Sequence, residues 1–241
     1  MSETLVQLRE VSKSYRLGRT LIPAATGVTV EISRGDLVAL AGPSGSGKST
    51  LLNIIGCIDK PDRGTVKIDS VDVTAVPLHR LAEMRRQSIG FIFQTFNLLP
   101  VLTAAENVDY PLRLRGVPGR ERRDRVRFWL DRVGLAAFAK HRPDQLSGGQ
   151  RQRVAIARAL AGEPKLVIAD EPTANLDSET AARILDLLAE INAATGCTFI
   201  FATHDQELIS RAARVIRVRD GVVTSDSKTN THAHLQAAAA L

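Results

Sequence analysis

Long apolar runs are missing from this chain of 241 residues. None approaches the roughly 18 consecutive apolar residues that cross a bilayer, and Met1 to Glu10 lack the basic-then-apolar order of a leader. The expectation is a soluble, cytosolic chain. Cysteine is scarce: Cys57 and Cys197 are the only two. They lie far apart, each inside an apolar stretch, which excludes a disulfide framework and leaves two reduced core thiols. Aromatic residues make up 4% of the chain, too few for a surface that stacks nucleic-acid bases. No internal repeat is visible.

Charge is present and mostly basic, with a net +6. Arg113, Arg115, Arg120, Arg122, Arg123, Arg125, Arg127 and Arg132 crowd one segment, relieved by Glu121, Asp124 and Asp131. The first reading is a solvated helical face, and the second is contact with lipid headgroups or an acidic partner. Phe128 and Trp129 are expected on the apolar side of that helix.

The length allows one large domain or two small ones. Short β-branched runs alternate with helical patterns, as in a layered α/β fold with a mostly parallel sheet. Val28 to Ile32 alternates like a half-exposed strand. Leu37 to Ala41, Leu166 to Ala169 and Thr198 to Ala202 are continuous apolar runs, as expected for strands buried on both faces. Ser178 is expected to cap a helix carrying Ile184, Leu185, Leu187, Leu188 and Ile191, with Gly196 as its stop. Between about Leu98 and Leu146 the strand signal disappears and helical patterns are broken by Pro100, Pro111, Pro118 and Pro143, which suggests an inserted helical subdomain. From Thr224 onward the chain turns polar and reads as a disordered tail, with His232 and His234 as tail residues rather than metal ligands.

The run Leu37 to Ala41 leads into Gly42, Pro43, Ser44, Gly45, Ser46, Gly47, Lys48 and Ser49, and a helix with Leu51, Leu52, Ile54 and Ile55 follows. Strand, glycine-rich loop and helix together make a P-loop. Its backbone N–H groups converge on phosphate oxygens, the helix N-terminus adds a positive dipole, Lys48 reaches the terminal phosphates and Ser49 offers a hydroxyl to Mg²⁺. The strand Leu166 to Asp170 ends in two carboxylates at a sheet edge where ligands bind. Asp170 is placed to hold Mg²⁺, and Glu171 to polarise an attacking water. Leu146, Ser147, Gly148, Gly149 and Gln150 open a further helix: Ser147 suits an N-cap, and the glycines are expected to clear space for an anion.

In that order, these motifs resemble the nucleotide-binding subunit of ABC transporters, with Leu146 to Gln150 similar to the family signature. The resemblance covers nearly the whole chain before the tail. It implies a P-loop ABC ATPase fold with a parallel-sheet core, an N-terminal antiparallel β subdomain and an inserted helical subdomain at about 98–160, within a domain spanning 1–223 and followed by a tail at 224–241. Position by position, Gly42 to Thr50 looks like the Walker A loop, and Leu166 to Asp170 looks like Walker B with Glu171 as catalytic base. Gln94, after Ile89 to Phe93, looks like the Q-loop glutamine that senses Mg²⁺ and the transmembrane partner. Asn175-Leu176-Asp177 looks like the D-loop, with Asp177 linking two sites. His204 looks like the switch histidine that contacts the γ-phosphate, and Tyr15 like the aromatic that stacks on adenine. By residue type alone, Tyr15 and Gln94 suit surface packing equally well, and His204 suits a satisfied histidine.

The resemblance implies ATP and Mg²⁺, hydrolysis of ATP, and two copies of the chain sandwiching two nucleotides head-to-tail. With no membrane span, the transport pathway is expected on another polypeptide, a permease, which would hold this chain at the cytoplasmic face of the plasma membrane. Leu52 to Pro61, Phe93 to Pro100, Thr103 and Glu106-Asn107-Val108 are similar to ATPases of the MacB and LolD type, which drive permeases for lipoproteins, peptides or antibiotics. Permease and ATPase on separate chains fits the LolD-like arrangement better. A regulatory ATPase of a cell-division or wall-remodelling complex carries the same nucleotide motifs and stays open. A DNA-repair relative would need an inserted coiled coil, and a ribosome-binding one two tandem units; neither pattern is present, and no nucleic-acid partner is expected.

Overall fold

A computed structural model describes residues 3–229. The chain begins with two long antiparallel strands, β1 (Thr4–Leu17) and β2 (Thr20–Ser33), followed by β3 (Leu37–Ala41) and α1 (Lys48–Ile55). Next come β4 (Arg63–Ile68), the short β5 (Val71–Asp72), α2 (Leu78–Ser88) and β6 (Ile89–Ile92). A helical stretch follows, with α3 (Ala104–Leu114), α4 (Gly119–Arg132), two short turns and α5 (Gly148–Leu160). The remaining elements are β7 (Leu166–Asp170), α6 (Ser178–Thr195), β8 (Thr198–Thr203), α7 (Gln206–Arg211), β9 (Arg214–Arg219) and β10 (Val222–Lys228).

Two sheets organise these elements. One has the order β2-β1-β4-β5 and is antiparallel; the other runs β10-β9-β3-β8-β7-β6. In the second sheet β9, β3, β8, β7 and β6 are mutually parallel, and β10 pairs antiparallel with β9. Every residue of β3 and β8 is buried, because helices or the other sheet cover both faces. Side chains alternate across β3, so Leu37, Ala39 and Ala41 join the core shared with α3, α4, α5 and α6. Val38 and Leu40 point the other way, into the core with α1 and the antiparallel sheet. Among the described residues no helix is long and apolar enough to cross a membrane.

Several expectations change in detail. The cap of α6 is Asp177, whose carboxylate accepts the Thr180 N–H at 2.9 Å; Ser178 is the first helical residue. A carboxylate one residue earlier captures the free amide better than the serine, and it favours the positive end of the helix. Trp129 is buried, whereas Phe128 is 60% exposed and faces solvent beside the arginines. The polar stretch after Thr224 is ordered as far as Lys228, because β9 supplies its backbone partners and Arg214 pairs with Asp226 at 2.6 Å. His232, His234 and the other residues of 230–241 lie outside the described residues. In the arginine-rich segment, Arg125 pairs with Glu121 at 2.7 Å within α4, and Arg122 reaches Asp109 of α3 at 2.8 Å. Burial pushes the Cys57 thiol up to about 11 and the Cys197 thiol up to about 12, leaving both inert.

Asp69, in the turn between β4 and β5, joins the two sheets by pairing with both Arg34 and Lys165. The Lys165 hydrogen bond, aided by the Arg34 charge and opposed by burial, holds its carboxyl below the usual range. A carboxyl depressed in the folded state contributes stability above its unfolded pKa of about 4, and loses it as pH falls through the folded value. Asp69→Asn is expected to cost about 0.5–1 kcal/mol at pH 7. Thermal melts of both proteins down to pH 3 check this: the gap narrows below about pH 4.

Candidate functional site

The three strands β3, β8 and β7 lie side by side, and each ends in residues singled out from the sequence. The P-loop leaves β3, Thr203 and His204 end β8, and Asp170 and Glu171 end β7. Parallel strands put all these groups at one carboxyl edge, where an open α/β sheet binds ligands.

The loop shape depends on close backbone approach. Gly47 has φ 103°, and a Cβ there would lie 2.1 Å from the Ala24 carbonyl oxygen. A Cβ on Gly42 would lie 2.1 Å from the Val218 carbonyl oxygen. The Ser46 carbonyl accepts the Gly221 N–H at 2.9 Å, which fastens the loop to the turn after β9. Lys48 is buried, and its ammonium donates to the carbonyls of Gly42 at 2.8 Å and Pro43 at 2.9 Å. Ser46 Oγ is buried and has no partner among the described residues. A buried hydroxyl and a lysine curled over a ring of amides suit an anion in the loop. Pro43, Ser44, Gly45 and Ser49 are exposed, and Thr50 is half-buried.

Ser49 donates to Asp170 Oδ1 at 3.3 Å, bringing two hard oxygens together at the head of α1. Burial pushes the Asp170 carboxyl above its usual range and the Glu171 charge adds to this, against the Ser49 hydrogen bond and the Lys48 charge. Among the described residues no group of three or more His, Cys, Asp and Glu is placed to hold a metal ion.

Glu171 adopts φ 45°, the left-handed region that few acidic residues enter without a local reason. Its N–H donates to the Ala202 carbonyl at 3.0 Å. Both carboxylate oxygens are engaged: Oε1 lies 2.8 Å from His204 Nδ1, and Oε2 accepts from Thr203 Oγ1 at 3.3 Å. Thr203 in turn accepts the Asp205 N–H at 3.0 Å. An ionised Glu171 places the imidazole hydrogen on Nδ1 and leaves Nε2 to face elsewhere.

Ser147 caps α5, with its hydroxyl accepting the Gln150 N–H at 3.3 Å while Gln150 Oε1 accepts the Ser147 N–H at 2.8 Å. The two glycines that follow lie against Leu176 and Thr180. A Cβ on Gly149 would meet Thr180 Cγ2 at 2.5 Å, so packing of α5 on α6 requires this glycine; one on Gly148 finds ordinary contact with Leu176 at 3.4 Å. Among the described residues no hydrogen bond or ion pair joins 147–150 to the P-loop.

Gln94 is exposed at the end of β6, and its carbonyl accepts from the Asn175 side chain at 2.8 Å. Arg158, on α5, donates to the carbonyl of Phe96 at 2.8 Å and to that of Asn97, and burial pushes its pKa down to about 10. Gln152, also on α5, donates to the Pro172 carbonyl at 2.6 Å. Arg158, Gln152 and Thr203 were not singled out from the sequence, because each acts across a long interval of chain and none belongs to a local pattern. Asp177 is exposed and spends its carboxylate on the α6 cap. Tyr15 is 41% exposed, with its hydroxyl donating to Asp59 at 2.9 Å.

Residues 25–174 match the ABC transporter family model. An uncharacterized ABC transporter ATP-binding protein of Thermotoga maritima is 48% identical over 217 residues, covering 90% of this chain and 92% of its own. A macrolide export ATP-binding/permease protein MacB of Syntrophobacter fumaroxidans is 46% identical over 92% of this chain, which spans 32% of that longer protein. Among solved structures, a Methanocaldococcus jannaschii ATP-binding cassette, a dimer in a post-hydrolysis state bound to ADP and Pi, is similar with a TM-score of 0.86 and 46% identity. That match covers 93% of this chain and 98% of the other.

Proposed function

Given that this chain belongs to the ABC transporter family and is an ATP-hydrolysing nucleotide-binding subunit, we propose that it works as a head-to-tail homodimer that drives a separate membrane permease of the MacB or LolD type. The observation that carries the reading is the meeting of the P-loop, the Asp170–Glu171 pair and His204 at three adjacent strand ends. The signature residues 147–150 have no bond to that P-loop, which fits a half-site completed by a second copy. The solved cassette that is its structural relative is itself dimeric.

In this reading the P-loop amides and the α1 N-terminus bind the phosphates, and Lys48 exchanges its carbonyl partners for the β- and γ-phosphates. Ser49 and Asp170 would hold Mg²⁺, assisted by Gln94; a hydroxyl and one carboxylate match the few protein oxygens this ion takes when phosphates supply the rest. Bound there, Mg²⁺ would neutralise phosphate charge. Glu171 orients the attacking water and accepts its proton, while His204 contacts the γ-phosphate. Ser147, Gly148, Gly149 and Gln150 of one copy cap the ATP held by the other, Asp177 links the two sites, and Tyr15 stacks on adenine. Hydrolysis removes the phosphate that both copies hold, so the dimer loosens and the motion passes to the permease. The chain then sits at the cytoplasmic face of the membrane through that partner.

Tagged chain purified from detergent-solubilised membranes is expected to bring down an integral membrane protein with a large extracytoplasmic domain. Recovery of a wall-remodelling regulator in its place would replace transport by regulation as the output of the same ATPase.

A further inference from the structure

We infer that Asp59 is a positioning residue for the nucleotide base: with Lys13 it builds the mount that holds the Tyr15 ring. The inference rests on the proposed stacking of Tyr15 on adenine and adds a specific support for it. Tyr15 lies near the turn end of the β1–β2 hairpin, where Leu17 and Leu21 are 71% and 63% exposed and offer no core to pack against. What holds the ring is a polar cluster. The phenol donates to Asp59 Oδ2 at 2.9 Å. The Lys13 ammonium donates to Asp59 Oδ1 at 3.0 Å and to the Lys60 carbonyl at 2.8 Å, and lies 5.4 Å from the ring centroid. Asp59 thus uses Oδ1 on the cation and on the Lys60 N–H at 2.7 Å, and Oδ2 on the phenol.

The arrangement does more than lace a loop to a strand. That lacing is supplied independently by Asp62, whose carboxylate accepts the Ser14 N–H at 2.7 Å and whose N–H donates to the Ser12 carbonyl at 2.8 Å. Asp59 is itself tied to α1, the helix that starts in the phosphate loop, through its N–H donating to the Asn53 carbonyl at 3.1 Å, so the ring is held relative to that loop. The Lys13 ammonium lies over one face of the ring, and the proposed base stacks on the other. A ring held in this way loses no rotamer freedom when ATP binds, whereas an untethered exposed tyrosine must be immobilised at a cost in affinity.

The test is a double-mutant cycle on the full chain, reading KM and kcat for ATP, with inorganic tripolyphosphate as a base-free competitive inhibitor. Tyr15→Ala and Asp59→Ala are each expected to raise KM about three- to tenfold, the scale of immobilising one side chain, with kcat within about twofold. In the Tyr15→Ala background, Asp59→Ala should add nothing. Neither substitution should alter inhibition by tripolyphosphate. An additive double variant, or an equal loss of tripolyphosphate binding, overturns the inference, because Asp59 would then be supporting the loop as a whole. A KM that responds to Tyr15→Ala but not to Asp59→Ala also overturns it while leaving base stacking intact. A KM indifferent to Tyr15→Ala removes the stacking and the inference together. If Asp59→Ala does not fold, Asp59→Asn runs the same cycle.

Discussion

Glu171→Gln is expected to lower ATP turnover about 10²- to 10⁴-fold, the range for removing a positioned general base, while ATP affinity stays within about threefold. Glutamine matches glutamate in size, and its carbonyl oxygen can still accept from Thr203 or His204, the two partners of the wild-type carboxylate. The φ of 45° is unchanged in its demands, so the backbone turn that carries the side chain survives. What disappears is the group that takes a proton from water. Steady-state hydrolysis measures the loss, and size exclusion with and without ATP measures the second consequence. With the shared γ-phosphate no longer removed, the variant should accumulate as an ATP-dependent dimer. A fall in rate below tenfold would take the role of base away from Glu171. Absence of the ATP-dependent dimer would sink the sandwich mechanism.

Gly47→Ala is expected to cost about 3 kcal/mol or more, combining residence in a glycine-favoured backbone region with overlap against fixed backbone. The added Cβ would sit 2.1 Å from the Ala24 carbonyl oxygen. That carbonyl has little room to retreat, since the next residues are held by the Thr26 N–H bond to the Gly221 carbonyl at 2.8 Å. At roughly 2–4 °C per kcal/mol for a chain of this size, the melting temperature should fall by about 6–12 °C, and nucleotide binding should go with the loop. Gly45→Ala is the internal control. Gly45 also has positive φ, 78°, but its Cβ meets nothing within 4 Å, so only the conformational cost of about 1–2 kcal/mol applies. Equal melting temperatures for the two variants would mean that the Ala24 contact does not govern the loop.

How much was legible depends on whether a feature is local. The run Leu37–Ala41 and the glycine loop behind it announce themselves, because burial on both faces demands continuous apolar residues and a phosphate loop demands fixed spacing. The strand Val222–Lys228 does not. It is an edge strand with mostly exposed side chains, held by backbone pairing to β9 and an Arg214–Asp226 ion pair, and neither leaves an apolar pattern. The site divides in the same way. Lys48, Asp170 and Glu171 follow from motifs, whereas Thr203 reaches Glu171 over 32 residues and Arg158 reaches Phe96 over 62. Gly149 belongs to both classes: its place in a glycine-rich helix start is local, whereas its close approach to Thr180 of α6 leaves no pattern in the sequence.

The register of β3 bears on how the protein is made. Its residue Leu37 pairs with Phe199, and the loop glycine Gly42 rests against the Val218 carbonyl. About 160 residues must therefore leave the ribosome after β3 before its neighbour β8 exists, an interval on the order of 10 s during synthesis. Throughout that interval the phosphate loop has Ala24 on one side but lacks Val218 on the other, so a nascent chain halted before β8 should not retain ATP. Nucleotide capture thus becomes a late event, one that waits for the synthesis of β8 and β9.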